Sequence, residues 1–275
     1  MHRVALLLPL CLLLLACAAR AQSTATGPNA PYHLGLVVEP QVAFALPRDL
    51  SHEAVGTRPH FGFGFIFDYK FTDRYAIGSG VNVFRTGGVT GHLTHLPDSA
   101  RIDYVEQAFD LQYVEVPLTF KMRTKEIGYT TYFGRFGVGL GLNVRAEAEV
   151  SQYRTWAQNH AADPPIWQPV AAVETPRAVT TDVARSTALF RPAMIVGLGF
   201  ERRLLGSTAV VTSVQYNLAL RNQFVSTPLV ATDDNGQPLT EAGVGLGAVP
   251  TDAPPALKDM DGKVGFLSLA VGLMF

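Results

Sequence analysis

Apolar residues recur at every second position in eight separate stretches of this chain. The last stretch is the clearest. Counting back from Phe275, Leu273, Val271, Leu269 and Leu267 alternate with Met274, Gly272, Ala270, Ser268 and Phe266. A period of two places these sets on opposite faces of a β-strand. In residues 32–46, Leu34, Leu36, Val38, Val42 and Phe44 oppose His33, Gly35, Glu39 and Gln41. Residues 61–71 alternate aromatics with Gly62, Gly64, Ile66, Asp68 and Lys70, and residues 75–85 set Ile77, Val81 and Val83 against Gly78, Gly80 and Asn82. The same alternation marks residues 113–123, 132–145, 190–201 and 210–221. With residues 264–275, the pattern predicts eight strands.

The connections alternate in length. Residues 72–74, 124–128 and 204–206 are short joins; residues 47–59, 87–107, 151–186 and 226–262 are long ones. Short turns on one rim and long loops on the other is the layout of a membrane β-barrel, with turns periplasmic and loops outside. The second face supports it. A soluble barrel would show a solvated face rich in Lys and Glu, whereas here that face carries Gly, Ala, Ser and Asn with charges spaced apart. Small residues suit the cramped interior of eight strands. Tyr32, Tyr69, Tyr75, Tyr129 and Tyr132 fall near turn-side strand ends, where an aromatic girdle belongs. The expected fold is all-β: an eight-stranded, antiparallel, up-and-down transmembrane β-barrel.

Composition narrows this further. Charged residues make up 16% of the chain, against a usual ~25%, and the formal net charge of −1 offers nothing to nucleic acid. No segment after the N-terminus has the ~18 uninterrupted apolar residues of a spanning helix. The start reads as a secretion signal: basic Met1-His2-Arg3, an apolar run over residues 4–16, then Ala19-Arg20-Ala21 before Gln22. This divides the chain into a signal peptide, 1–21, and a barrel domain, 22–275. Leu14-Leu15-Ala16-Cys17 also fits a lipoprotein signal with lipid on Cys17. Both cysteines, Cys11 and Cys17, lie in this segment, so cleavage after Ala21 leaves no thiol chemistry.

The run Tyr113-Val-Glu-Val-Pro-Leu-Thr-Phe-Lys-Met-Arg123, followed by Tyr132-Phe-Gly-Arg-Phe-Gly-Val-Gly-Leu-Gly-Leu142, resembles the PorT-like family of outer-membrane β-barrel proteins. Its members carry a Tyr-x-Glu-x-Pro-Leu strand and then a Gly-alternating one. The terminal strand ending on Phe275 resembles the assembly signal of outer-membrane barrels. The resemblance implies an eight-stranded outer-membrane barrel, read by the barrel-assembly machinery at Phe275 and surrounded by outer-membrane lipid and lipopolysaccharide. It implies no single activity; a minority of members are tied to protein secretion.

Candidate chemistry centres on the charges assigned to the inner face. Glu39, Asp68, Glu115 and Glu201 supply carboxylates, and Lys70, Lys121, Arg123, Arg135, Arg145, Arg191 and Arg221 supply cations. Unpaired charges in a narrow lumen are costly, so an ion-pair network closing the barrel is expected, with Arg135, Arg145 and Arg191 pairing Glu39, Glu115 and Glu201. The alternative is a small-solute channel lined by the arginine excess, with anion preference. A lipid-modifying hydrolase ranks third, because no strand sets a His beside a Ser on an outward face. His92, His95 and Asp98 read as polar loop residues rather than metal ligands, and Asp233-Asp234-Asn235-Gly236 as a turn; no cofactor is expected. The long loops, with Trp156 and Trp167, suit contact with an extracellular protein or glycan. The expectation is a non-enzymatic outer-membrane protein with a structural or surface-interaction role.

Overall fold

The computed structural model describes residues 31–96, 101–159, 166–169, 178–184, 186–205, 208–224 and 260–275. Ten strands form one antiparallel sheet: β1 (Tyr32–Pro47), β2 (His52–Lys70), β3 (Tyr75–Leu96), β4 (Arg101–Arg123), β5 (Thr130–Asn159), β6 (Ile166–Pro169), β7 (Ala178–Asp182), β8 (Phe190–Leu205), β9 (Thr208–Ala219) and β10 (Gly262–Met274). The order β4-β3-β2-β1-β10-β9-β8-β5 closes on itself because β4 also pairs with β5. This is a closed eight-stranded barrel, and β6 and β7 are additions paired to the far end of β5. Closure extends to the chain's last residue: Phe275 N–H donates to the Leu34 carbonyl at 2.7 Å, and Leu34 N–H to the Phe275 carbonyl at 3.2 Å.

The apolar face is the exposed one. Leu36 and Leu198 are 62% and 71% exposed, whereas Glu115 and Arg191 are 1% and 0% exposed. A water-soluble barrel would have these reversed, since apolar burial drives its folding. Lipid takes the place of a core here. Rings gather at the turn-side rim, with Tyr32 on Tyr69 (5.2 Å between centres), Tyr75 on Phe120 (5.6 Å) and Phe120 on Phe136 (5.5 Å). From Tyr75 to outward-facing Arg85 is ten residues, the length of one tilted membrane crossing. Arg85 there faces Asp110 of the neighbouring strand at 3.5 Å.

Beyond that level the strands continue, which corrects the expected loops. Residues 52–59, 87–96, 101–107 and 151–159 are strand, not loop. Burial alternates over residues 104–110, but there the outward set turns polar as the strand leaves lipid. In β5, Ala146 and Ala148 point inward while Arg145 and Glu149 are exposed. A sequence reading that ends each strand with its apolar set stops at the membrane surface. The loop at residues 226–262 lies almost wholly outside the described residues.

Two prolines interrupt the ladder. Between Gly78↔Thr119 and Asn82↔Glu115, β3 and β4 lose register partners around Pro117, which has no N–H to give. The Ser79 hydroxyl donates to the Pro117 carbonyl at 3.0 Å instead. Pro40 sits in a similar gap between β1 and β10.

Candidate functional site: the lumen and the outer rim

Every second residue of each barrel strand enters the lumen, and the side chains there fall into floors. The turn-side floor is ionic. Lys121 donates to Asp68 at 2.5 Å and to Glu201, and Arg123 donates to the other Glu201 oxygen at 2.5 Å. Lys121 also stands 4.2 Å over the Phe133 ring. Below it a mouth cavity of about 90 Å³ is lined by His33, Lys70, Arg123, Glu201 and Arg203, with Lys70 Nζ 2.8 Å from His33 Nε2.

The middle floor mixes charges and amides. Arg191 donates to Glu115 at 3.1 Å and to the Asn217 carbonyl oxygen at 2.7 Å; Asn217 in turn donates to Glu115 at 3.2 Å. Gln215 donates to Glu39 at 3.2 Å, and Arg135 reaches the Ser213 hydroxyl at 3.4 Å. The free space between these groups is a cavity of about 30 Å³, room for a water or two rather than a solute path. Glycine makes the space the carboxylate occupies: a Cβ on Gly139 would lie 2.5 Å from the Glu115 carboxyl carbon.

The loop-side floor is apolar. Phe84, Phe109, Leu111, Tyr113 and Phe266 of the barrel cluster with Phe224 and Met260 from the connecting segments, all buried. Phe84 meets Phe266 at 4.8 Å, and Phe109 meets Phe224 at 4.6 Å. The Tyr113 hydroxyl donates to Gln223 at 3.1 Å, tying the segment after β9 across the mouth. Arg191 joins the floors, its guanidinium 5.4 Å from the Phe84 ring and 5.5 Å from the Tyr113 ring.

Of the residues expected to form one network, Asp68, Lys121 and Glu201 meet in the ionic floor, and Glu39, Glu115, Arg135 and Arg191 share the middle one. Arg191 pairs with Glu115, but Arg135 reaches Ser213 rather than a carboxylate. Two expected members lie elsewhere. Arg145 is exposed and paired with Glu147, because β5 has an extra residue at Val144 where Gln112 and Tyr113 face Arg145 and Asn143. A one-residue bulge moves every later side chain to the opposite face. Arg221 is exposed past the end of β9. Without these two, the lumen's cation excess over its carboxylates shrinks to one, and that residue, Lys70, sits at the turn-side mouth. Reading residue types alone passed over the amide partners Gln215 and Asn217.

On the outer rim a second cluster forms. Asp49 accepts from the Ser51 and His52 backbone amides at 2.9 Å each, from the Ser51 hydroxyl at 2.6 Å and from His52 Nδ1 at 2.8 Å. Its other oxygen accepts from the Asp261 amide at 3.2 Å, which fastens the incoming end of β10's connection to the turn after β1. Burial by itself would raise the Asp49 carboxyl, but the bonds from Ser51, His52 and Asp261 outweigh it and hold it well below the usual carboxylate range. The Ser51 hydroxyl approaches the same imidazole nitrogen that Asp49 holds. In a serine nucleophile the hydroxyl and the carboxylate sit on opposite nitrogens, so this trio is a turn-fixing motif. His92 lies in β3, directly across from His52 and not in a loop. The side chains of His95 and Asp98 lie outside the described residues, as do those of Trp156 and Trp167.

No curated protein matches the chain. Among solved structures it is similar to Ail, the attachment invasion locus protein of Yersinia pestis, crystallised with the heparin analogue sucrose octasulfate (13% identity, 89% of this chain and 99% of that one, TM-score 0.34). It is also similar to Neisserial surface protein A (8%, 90% and 98%, 0.37) and to OprG from Pseudomonas aeruginosa (12%, 88% and 95%, 0.35). The profile of the outer membrane protein beta-barrel domain matches residues 44–225. With its lipid-facing exterior and closed strand order, the chain belongs to that family and is an outer-membrane β-barrel protein.

Proposed function

We propose that this protein is a sealed, non-enzymatic barrel that acts through its outer surface, contacting an extracellular protein or glycan. The observation that carries the reading is the closed lumen. An apolar floor lies in series with an ionic one, and only about 30 Å³ is free at the middle level. A channel needs a continuous wet path, and the near balance of charge removes the arginine lining that the channel reading required. The strands of β2 to β5 instead carry the sheet past the membrane level and add β6 and β7 there. That spends chain length on an outer surface, with Trp156 on β5 and Trp167 on β6.

The finer assignments belong to the same proposal. The signal peptide ends at Ala21, Phe275 serves the barrel-assembly machinery, lipopolysaccharide packs on the apolar exterior, and the motifs at residues 113–118 and 132–142 place the chain with the PorT-like barrels. Planar-bilayer recording on the refolded protein, paired with adhesion of cells displaying it, tests the function. Silence in the bilayer and adhesion lost on shortening residues 151–186 are expected. Stable, ion-selective conductance steps from the wild type would overturn it.

A further inference from the structure

His52 and His92 stand directly opposite each other on β2 and β3, outside the membrane level, with ring centres 4.7 Å apart. Both are buried, 8% and 5% exposed. Neither ring nitrogen of His92 has a hydrogen-bond partner. A buried polar atom without a partner gives up its water with nothing in exchange, which is destabilising, and His92 carries two. Filling space does not explain an imidazole here, because a valine or leucine would fill it without that penalty; Val105 does so across the next ladder. A neutral imidazole carries one proton, so His92 offers a donor on one nitrogen and a lone pair on the other, neither of them met by the protein.

His52 is prepared differently. Asp49 accepts from its Nδ1 at 2.8 Å, which fixes the tautomer and leaves the lone pair on Nε2. A carboxylate behind an imidazole is the arrangement that orients histidine ligands and raises their basicity. With metal–nitrogen bonds of about 2.0–2.1 Å, two imidazoles on one ion have ring centres roughly 4.5–5.5 Å apart, and this pair falls in that range. The geometry points to a divalent transition-metal site on the outer rim, formed by the imidazoles of His52 and His92 with Asp49 as the positioning residue. Among the described residues no three His, Cys, Asp or Glu side chains converge, so water completes the coordination. Two nitrogen donors select copper, nickel or zinc over calcium or magnesium. A metal there would brace β2 against β3 beside the turn that Asp49 fastens to Asp261.

Copper is the sharpest probe, being the tightest of the divalent series for such donors. Tag-free, refolded protein in detergent is titrated with Cu²⁺ and read by electron paramagnetic resonance. One equivalent is expected to bind with hyperfine structure from two nitrogens, and excess Zn²⁺ should displace it. His92→Phe and, independently, His52→Ala should abolish that signal. Asp49→Asn should weaken binding by roughly 10–100-fold, and His60→Ala should leave it unchanged. Heat-dependent gel mobility verifies that each variant remains a folded barrel. A titration that is the same in folded wild type and folded His92→Phe, or no copper signal from the wild type, would overturn the site. Bilayer silence is unaffected either way, so failure here is distinct from failure of the sealed-barrel reading.

Discussion

The turn-side half of the lumen is held by charges and the loop-side half by apolar rings, and Arg191 belongs to both. In the first, Lys121, Asp68, Glu201 and Arg123 pair within hydrogen-bonding distance, next to a mouth cavity of about 90 Å³. In the second, Phe84, Phe109, Leu111 and Phe266 pack without a charged group until Arg191 is reached. The difference follows water. Lys121, Asp68 and Glu201 are buried beside a wet mouth, and pairing with one another offsets their desolvation. Rings deeper under the loops exclude water and close the path. The two halves therefore seal by different physics. The ionic half depends on every partner being present, and the apolar half depends on volume.

That contrast can be broken most forcefully at Glu115. Glu115→Gln removes the carboxylate from a fully buried Arg191 and should cost about 3–5 kcal/mol, read as a large drop in unfolding temperature in detergent. Phe109→Ala should cost a similar ~3–5 kcal/mol through the cavity it leaves. The sharper outcome lies in conductance. Because the ionic floor of Lys121, Asp68 and Glu201 is in series with both sites, each single variant and the double variant should stay silent in a bilayer, and adding Glu201→Gln should make the triple variant conduct. Conductance from Phe109→Ala alone would mean that the ionic half leaks and that the comparison is wrong. Silence from the folded triple variant would mean that a further barrier exists.

A smaller effect is expected at Gly139, where a methyl group would press on the Glu115 carboxyl carbon at 2.5 Å. Gly139→Ala should cost about 1–3 kcal/mol as an overpacked site, and much of that should vanish in a Glu115→Ser background, where the clash is gone. Additive losses in the double-mutant cycle would place the strain in the backbone instead.

How much of this was legible in the sequence depends on which face is considered. The outward face was fully readable, since Leu34, Leu36 and Val38, or Leu267, Leu269 and Val271, keep one period and one chemistry for a whole membrane crossing. The inward face was readable where Gly alternates with charge, as at Asp68, Glu115 and Glu201. It failed at Arg145, because a single bulge residue leaves no mark on a period that is still apolar at Val144. It also failed for the apolar floor. Phe109 and Leu111 precede the recognisable Tyr113 strand, and their outward neighbours, Asp110 and Gln112, are polar, so the segment reads as loop. The His52–His92 pair was hidden for a related reason: forty residues separate partners that only the β2–β3 register brings together.

The smallest expected effect is on the turn-side rim, and it tests whether this rim is merely a connection. Tyr129 has a φ of 67°, beside Gly128 at 55°, in the turn closed by paired hydrogen bonds between Ile127 and Thr130. Two successive positive φ values are the signature of the tight hairpin turn whose twist matches the flanking strands. Glycine fits both central positions, and a tyrosine in the left-handed region costs roughly 1–2 kcal/mol. Something offsets that penalty: the Arg203 guanidinium lies 5.7 Å from the Tyr129 ring and bonds Glu126 on the same turn. An exposed cation–π contact contributes about 0.5–1 kcal/mol. Tyr129→Gly should therefore relieve slightly more than it loses, a gain of about 0.5–1 kcal/mol, visible as a rise of a few degrees in unfolding temperature. Tyr129→Ala should lose the ring and keep the strain, so it should be the less stable of the two variants. If both variants destabilise equally, the ring contact outweighs the backbone, and the turn-side rim holds the ionic half in place from outside the lumen as well as within it.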